Sequence, residues 1–354
     1  MIGILTFNDT NNFGSLLQTY ALYEALSKID PSCEIINYRC ARLYDREIPK
    51  PFTQIRGIKD LYRFVRYHKE QKKKYDELTG FSDSYIQSSQ LFDISNISSA
   101  SSKYDKIIVG SDIVWGLDIT GDDYSYFLDF SNNGNKYSYA SSFGSDYILK
   151  DPRREHVAEL LKSFNRISVR EQDAVDIIKE LSGKNAELVL DPTLLLDETE
   201  WGKFFSKRKI ESPYILTYFE DDKGLIRKTA LELSQKYNCE VLNITNGKKM
   251  EGVRNIPVYS LEEFLSYIKN AEHIVTASYH GLAFSINFNK QFNFYNRAHR
   301  SRMNTLSKIA GLSDREILPD GSYSDYHIDF SSANDRIKRM RILSTSYLQS
   351  IVRD

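Results

Sequence analysis

Residues 2–29 read IGILTFNDTNNFGSLLQTYALYEALSKI, and this stretch decides the fold class. Residues 2–7 form a short and almost wholly apolar run, which is typical of a strand buried on both faces of a sheet. A polar turn follows, and then a helix is predicted over residues 15–29, because Leu16, Tyr20 and Tyr23 recur at helical spacing. A strand that leads into a helix in this way predicts a parallel α/β sheet.

The same alternation continues along the chain, and 354 residues are enough for two domains. Further strands are predicted at residues 33–38, 104–111, 136–142, 166–170, 186–191, 214–219, 240–244, 273–277 and 292–295. Further helices are predicted at residues 153–164, 171–181, 225–237, 261–270, 281–289, 303–310 and 333–351. We therefore expect two Rossmann-like domains, 1–200 and 201–332, facing each other across a cleft, with helix 333–351 able to pack back on the first. Open parallel sheets bind ligands at the carboxyl ends of their strands, so functional residues are sought there.

The composition excludes several classes of protein. Lys and Arg number 47 against 48 Asp and Glu, and a net charge of −1 gives no support for nucleic acid as a partner. The three cysteines show no CxxC spacing and HExxH is absent, so neither a disulfide framework nor a metal site is expected. Because we find neither a basic leader nor an apolar run of membrane-spanning length, we expect a cytoplasmic protein.

Residues 56–75 break the α/β pattern. Eight basic residues stand there against Asp60 and Glu70, and Leu61, Phe64 and Val65 form an apolar stripe. One interpretation is a solvated helix in an insertion. The alternative is a surface that contacts anionic lipid or a lipid-linked substrate, at the inner face of the membrane.

The turn after the first strand is a candidate anion site. Asn12, Gly14, Ser15 and Gln18 open the helix, and a helix N-terminus attracts phosphate or carboxylate. The spacing fits neither GxGxxG nor a Walker A loop, so a dinucleotide or P-loop site is not predicted. A plain helix cap is the alternative.

Three further strand ends of the first half carry candidates. In IIVGSDIVWG, Ser111 and Asp112 follow an apolar run, and Asp112 could orient a sugar hydroxyl or a base. Ser142, at the end of another strand, could donate to an anion. Arg170 ends a third strand, where a guanidinium can bind phosphate or carboxylate through two hydrogen bonds. The alternatives are turns that satisfy the backbone and, for Arg170, an ion pair with a nearby acid; Asp191 is interpreted as structural.

The strongest signal is HIVTASYHGLAFSINF, at residues 273–288. The predicted strand ends in Ser278, Tyr279, His280 and Gly281, and a helix follows. His280 is therefore expected at a helix N-terminus, where the helix dipole disfavours the imidazolium and leaves the ring able to transfer protons. A structural histidine is the alternative.

A basic cluster follows in NRAHRSRMN, at residues 296–304. Its arginines, Arg300 and Arg302 among them, are candidates for capturing an anionic donor. The alternative is a solvated loop.

Six segments, in this order, resemble the polysaccharide pyruvyl transferase family, and the resemblance spans roughly residues 1–315. They are N-x-G-S-x-L-Q at 12–18, G-S-D-x-x-W at 110–115, A-S-x-F-G at 140–144, S-V-R-E at 168–171, D-P-T at 191–193 and S-x-H-G-x-x-F-S at 278–285. The chain departs from the pattern at Ile113, where other members often have Gln, and at Tyr279, where several have Arg.

The resemblance implies a GT-B-like fold and the transfer of pyruvate from phosphoenolpyruvate onto two hydroxyls of a sugar, with a ketal formed and phosphate released. Phosphoenolpyruvate would be a co-substrate, and no cofactor or metal is implied. His280 and Arg170 would be the catalytic residues, and the helix start at Gly14 and Ser15, with Arg300 or Arg302, would hold the donor.

The implied acceptor is a polysaccharide or a precursor, which could be lipid-linked, in envelope, capsule or exopolysaccharide assembly; no oligomeric state is predicted. One alternative is a nucleotide-sugar glycosyltransferase in which Glu262 or Glu263 reaches the ribose. Another is a non-catalytic relative.

Overall fold

The computed structural model describes residues 1–55, 57–131, 134–219, 223–297 and 301–354, and they form two compact units. Unit 1 comprises Met1–Ile48, Thr79–Leu196 and Lys338–Asp354. Unit 2 comprises Pro49–Leu78 and Asp197–Ile337. The division differs from the predicted boundaries mainly in residues 49–78, which belong to unit 2 although the sequence places them in the first domain.

Parallel strands form the centre of both units. The strands are β1 (Ile2–Leu5), β2 (Glu34–Ile35), β3 (Lys106–Val109), β4 (Lys136–Ser138), β5 (Ile167–Val169), β6 (Ala186–Leu188), β7 (Tyr214–Tyr218), β8 (Glu240–Ile244), β9 (Arg254–Ile256), β10 (His273–Thr276) and β11 (Gln291–Phe294). Apart from β9, each lies within or next to a run for which the sequence predicts a strand.

Helices connect these strands. They are α1 (Phe13–Ser27), α2 (Ala41–Glu47), α3 (Ile58–Tyr85), α4 (Leu117–Thr120), α5 (Arg154–Lys162), α6 (Gln172–Ser182), α7 (Glu198–Gly202), α8 (Leu225–Tyr237), α9 (Leu261–Asn270), α10 (Tyr279–Asn287), α11 (Ser301–Ala310) and α12 (Ser331–Arg353). Among the helices as described, none combines the length and the apolar character needed to cross a membrane.

The sheet of unit 1 runs in the order β2-β1-β3-β4, and β5 and β6 continue it. Parallel bridges from Tyr137 to Arg166 and from Ser141 to Val169 join β5 to β4. The chain therefore places β2 on one side of β1 and all later strands on the other, so the order of the strands switches between β1 and β3.

The core of unit 1 packs around Trp115, whose indole N–H donates to the Tyr126 carbonyl at 2.9 Å. The indole also contacts the rings of Phe127, Phe143 and Phe164 at centroid distances of 5.8, 5.2 and 5.9 Å. This buried aromatic cluster fixes the loop that follows β3.

The sheet of unit 2 is also parallel, in the order β11-β10-β7-β8-β9. Its helices cover a core that includes Ile215, Ile226, Leu233 and Val275. Since β7 is the first strand of this sheet, the order switches between β7 and β10. The α/β class with two Rossmann-like units is confirmed, and each switch point is where such a sheet binds ligands.

Candidate active site

At the switch point of unit 1, the first turn of α1 meets the end of β3. Asn12 caps the helix, and its side-chain oxygen accepts from the Gly14 N–H at 2.9 Å. Ser15, in the same turn, donates its hydroxyl to Asp112 Oδ2 at 2.6 Å. The Gly14 N–H, which the sequence analysis considered for an anion, is therefore bound by the cap. Ser15 instead binds Asp112, which comes after β3.

Asp112 stands in an unusual backbone conformation. Its φ of 78° lies in the left-handed region, which few residues other than glycine adopt. Its second carboxylate oxygen accepts from the Ile113 N–H at 2.8 Å. The side chain is 12% exposed, so this carboxylate lies at the edge of the sheet within reach of solvent.

Arg170 lies inside unit 1 and is surrounded by acids. Its Nη1 donates to Asp191 Oδ2 at 2.7 Å, and its Nη2 lies 3.4 Å from Asp112 Oδ1. The Glu171 carboxylate is 3.8 Å from its Nε. The Arg170 side chain is 0% exposed. Of the two interpretations the sequence left open, the ion pair is the one observed, and contact with a donor stays a prediction.

Asp191 is held in place from several directions. Its Oδ1 accepts from both the N–H and the hydroxyl of Thr193, at 3.0 and 2.7 Å. Its Oδ2 also accepts from the Ser111 hydroxyl at 3.0 Å. Ser15, Ser111, Asp112, Arg170 and Asp191 therefore form one connected polar network at the carboxyl edge of the sheet.

Two predicted binding residues of unit 1 lie in the interior instead. Gln18 is fully buried and donates to Thr6 Oγ1 at 3.0 Å and to the Ser15 carbonyl at 2.9 Å. Ser142 is also fully buried, and its hydroxyl accepts from the Gly144 N–H at 3.0 Å. Gln18 thus fixes α1 and Ser142 fixes a turn, and ligand binding by either side chain stays a prediction.

At the switch point of unit 2, α10 begins directly after β10. Ser278 caps the helix by accepting from the Gly281 N–H at 3.3 Å, and its own N–H donates to Thr276 Oγ1 at 3.0 Å. The Thr276 hydroxyl in turn donates to the Tyr218 carbonyl at 2.6 Å, which ties the end of β10 to β7. A Cβ at Gly281 would lie 2.5 Å from Thr276 Oγ1, so this close seating requires glycine.

His280 is the second residue of α10, which begins two residues before the helix predicted at 281–289. His280 is 9% exposed, and its ring contacts that of Tyr279 edge to face at a centroid distance of 5.3 Å. The imidazole is thus nearly buried at the N-terminal end of the helix, and its Nε2 atom is shielded from solvent. This placement suits a group that exchanges a proton with a bound ligand.

The basic cluster is only partly described. Arg302 lies half-buried in the first turn of α11, and a hydrogen bond of 2.7 Å from Asn296 Nδ2 to Asn304 Oδ1 fastens the preceding loop to that helix. Arg300 lies outside the described residues, as does His299. Among the residues described, no three His, Cys, Asp or Glu side chains are grouped to hold a metal ion, and the cofactor expectation stays a prediction.

A family model described as polysaccharide pyruvyl transferase matches residues 12–299. The chain belongs to this family. Membership makes the protein a transferase of polysaccharide biosynthesis, and the matched residues include the first turns of α1 and α10.

Among curated proteins, none matches the sequence. Among solved structures, UDP-GlcNAc 2-epimerase from Methanocaldococcus jannaschii has 12% identity over 95% of this chain and 91% of its own, with a TM-score of 0.46. ADP-heptose LPS heptosyltransferase II from E. coli has 13% identity over 97% and 98%, with a TM-score of 0.40. S. aureus MnaA, solved with UDP, has 10% identity over 96% and 87%, with a TM-score of 0.48. Similarities at this level of identity and TM-score carry no information about the activity of this chain.

The structure accounts for one of the two departures of this pyruvyl transferase family member. Ile113 packs over Gly116 and Gly144, where an added Cβ would lie 2.6 and 2.7 Å from its Cγ2. Gly144 has a φ of 77°, so glycine is favoured there for its backbone as well. The aliphatic side chain thus occupies a space that two glycines leave open. At the second departure, Tyr279 is buried against His280 and supplies no cation.

Sequence reasoning did not connect three residues with Arg170. Asp191 was interpreted as structural, and Glu171 and Thr193 were given no role, yet all three are buried beside or behind Arg170. One signal was available, since D-P-T directly follows a strand and parallel strands end at the same edge. What the sequence did not show is that β6 lies beside β5, which brings Asp191 to Arg170.

Proposed function

We propose that the protein transfers pyruvate from phosphoenolpyruvate to two hydroxyls of a sugar. One hydroxyl oxygen adds to C2 of the enol while C3 gains a proton. The bond from C2 to the phosphate oxygen then breaks, and the second hydroxyl oxygen bonds to C2. The products are a cyclic ketal and inorganic phosphate, and the two protons of the hydroxyls end on C3 and on phosphate.

The proposal is supported above all by the position of His280 in a chain of this family. The imidazole lies at the carboxyl edge of a parallel sheet, at its switch point, on a helix turn fixed by Ser278 and Gly281. We assign to it the proton transfer to C3, since a fixed imidazole can act as both acid and base near neutral pH.

Donor binding requires positive charge, because phosphoenolpyruvate carries a carboxylate and a phosphate. Arg302, in the first turn of α11, is the described arginine that we assign to this task, together with the N-terminal N–H groups of α10. Arg170 is not assigned to it, because three carboxylates already surround its guanidinium. Its role is to hold Asp112 and Asp191 in position.

Asp112 is the residue of unit 1 suited to a neutral polar ligand. Its carboxylate is partly exposed and already accepts from Ser15, so it is a fixed acceptor for one more hydrogen bond. A sugar hydroxyl is such a donor. An anion would be repelled, so we assign unit 1 to the acceptor sugar rather than to phosphoenolpyruvate.

The test is phosphate release from phosphoenolpyruvate over a panel of lipid-linked and nucleotide-linked sugars. With an acceptor that supports turnover, His280→Ala should lower the rate by about 10²–10⁴-fold, the usual contribution of general acid–base catalysis. His327→Ala is the matched control, because His327 is exposed on the same unit and should leave the rate unchanged.

Phosphate release at the normal rate by His280→Ala would remove this residue from the mechanism. Calorimetric titration with phosphoenolpyruvate and UDP in parallel tests the donor itself. Binding of UDP without binding of phosphoenolpyruvate would contradict the proposal and favour a nucleotide-sugar donor, whereas binding of neither would favour a non-catalytic relative.

A further inference from the structure

The first two turns of α3 present an apolar face to solvent. Ile58, Leu61, Tyr62 and Val65 follow the spacing of one helical stripe, and they are 87, 42, 57 and 78% exposed. Phe52, just before the helix, is 66% exposed and its ring lies 5.7 Å from that of Phe64. Single exposed apolar residues are common on proteins, but five grouped at one place indicate an interaction surface.

The next two turns of α3 continue the same stripe with basic residues. Arg66, Lys69 and Lys72 lie at the positions that follow Ile58 and Val65 along the helix, and all three are exposed. Acids offset this charge only in part, since Lys72 pairs with Asp76 at 2.7 Å. The stripe is thus apolar at one end and cationic at the other, in a chain whose total charge is −1.

The opposite face of α3 is fastened to unit 2. The Tyr259 hydroxyl donates to Glu70, and Lys73 Nζ lies 4.0 Å from the centre of the Tyr259 ring. Further along the helix, Leu78 is buried. These contacts set the orientation of α3 about its own axis. The apolar stripe therefore faces solvent and does not belong to the core.

We propose that this stripe of α3 binds the surface of an anionic lipid bilayer. The aliphatic and aromatic side chains of the first two turns would enter the boundary between headgroups and acyl chains, and the basic residues beyond them would contact lipid phosphates. Charge complementarity favours this partner, because Lys and Arg next to a short apolar face match a surface that is anionic outside and apolar beneath. The proposal is independent of the donor, since it requires only the helix and the lipid.

The experiment is co-sedimentation of the full chain with phosphatidylcholine vesicles, with and without phosphatidylglycerol and without any substrate. Binding is expected only when the anionic lipid is present, and added salt should weaken it. The double variant Ile58→Glu/Val65→Glu should lose at least tenfold in vesicle affinity, and Arg66→Glu/Lys69→Glu should lose a similar factor. The emission of a fluorophore attached to the Ile58→Cys variant should shift to the blue when vesicles are added.

The control variants change exposed residues of the same types outside α3. Ile94→Glu changes an apolar residue of unit 1 that is 67% exposed, and Lys248→Glu/Lys249→Glu reverses two exposed lysines of unit 2; neither should alter binding. Circular dichroism checks that each variant is folded. Absence of vesicle binding by the unaltered chain, or equal binding by all variants, would overturn the proposal. Self-association in solution that Ile58→Glu/Val65→Glu abolishes would instead identify a second copy as the partner.

Discussion

Arg170 shows how a polar residue can be fixed inside an α/β unit. A guanidinium removed from water is stable only when opposite charges and hydrogen bonds replace its hydration. Asp191 and Asp112 supply both, and Glu171 adds a third negative charge nearby. The acids depend on the arginine equally, since without it three carboxylates would lie together at low exposure.

Replacing Arg170 should therefore destabilise the fold rather than act on the donor alone. We expect Arg170→Met to lower the free energy of unfolding by about 3–5 kcal/mol, the usual result when one partner of a buried ion pair is removed. Urea unfolding followed by circular dichroism measures the change.

Arg227→Met is the control for this prediction. Arg227 is 41% exposed and lies 3.5 Å from Glu251, so its loss should cost no more than about 0.5 kcal/mol. If Arg170→Met were as stable as the unaltered chain but failed to bind phosphoenolpyruvate, the positioning role would be wrong and direct contact with the donor would be indicated.

The pair of strands β10 and β11 contains a buried histidine that stays neutral. His273 Nε2 donates to Asn293 Oδ1 at 2.9 Å, because the Asn293 amide nitrogen already donates to the Ser324 carbonyl at 2.8 Å. Burial lowers the pKa of His273 to about 4, and the nearby positive charge of Arg315 adds to this shift. The hydrogen bond with Asn293 opposes it only in part.

This histidine should make unit 2 sensitive to mild acid. Between its ordinary pKa of 6.5 and about 4, the unfolded chain binds a proton that the folded chain does not, so stability falls as the pH falls. From pH 7 to pH 5 the contribution is roughly 2 kcal/mol. His273→Gln should remove that part of the pH dependence of urea unfolding, whereas exposed His327→Gln should retain it. A pH dependence unchanged by His273→Gln would contradict the assignment.

At the scale of the whole molecule, the alternation of strands and helices could be predicted because it depends on local periodicity. The runs at 2–7, 104–111 and 273–277 are apolar enough to identify buried strands. β9 was missed because Arg254–Ile256 has only one apolar residue. Periodicity carries no information about such a short strand at the edge of a sheet.

The position of His280 could also be predicted, because it depends on a single strand and the helix that follows it. The network around Arg170 could not, because it requires the order of strands that lie far apart in sequence. Asp112, Arg170 and Asp191 come from three different loops, and only the pairing of the strands brings them together. The assignment of residues 49–78 to unit 2 depends likewise on contacts such as that of Glu70 with Tyr259.

The last helix makes the stability of unit 1 depend on the end of the chain. Residues 338–354 belong to unit 1, where the Tyr347 hydroxyl donates to the Ser138 carbonyl at 2.9 Å and Lys106 Nζ donates to the Ile351 carbonyl at 2.9 Å. Leu348 and Ile351 are fully buried on the same side of α12. Strands β3 and β4 thus gain part of their cover from residues more than two hundred positions away.

Shortening the buried side chains of α12 should therefore destabilise the protein. Exposed side chains on the opposite side of the same helix provide the control variants. We expect Leu348→Ala and Ile351→Ala each to lower the free energy of unfolding by about 2–5 kcal/mol, through lost burial and the cavity left behind. Ile342 and Leu343 are 59 and 61% exposed on α12, so Ile342→Ala and Leu343→Ala should change it by no more than about 0.5 kcal/mol. Equal effects on the two sides, measured by urea unfolding, would show that α12 contributes through its helical propensity and not through its cover of the sheet.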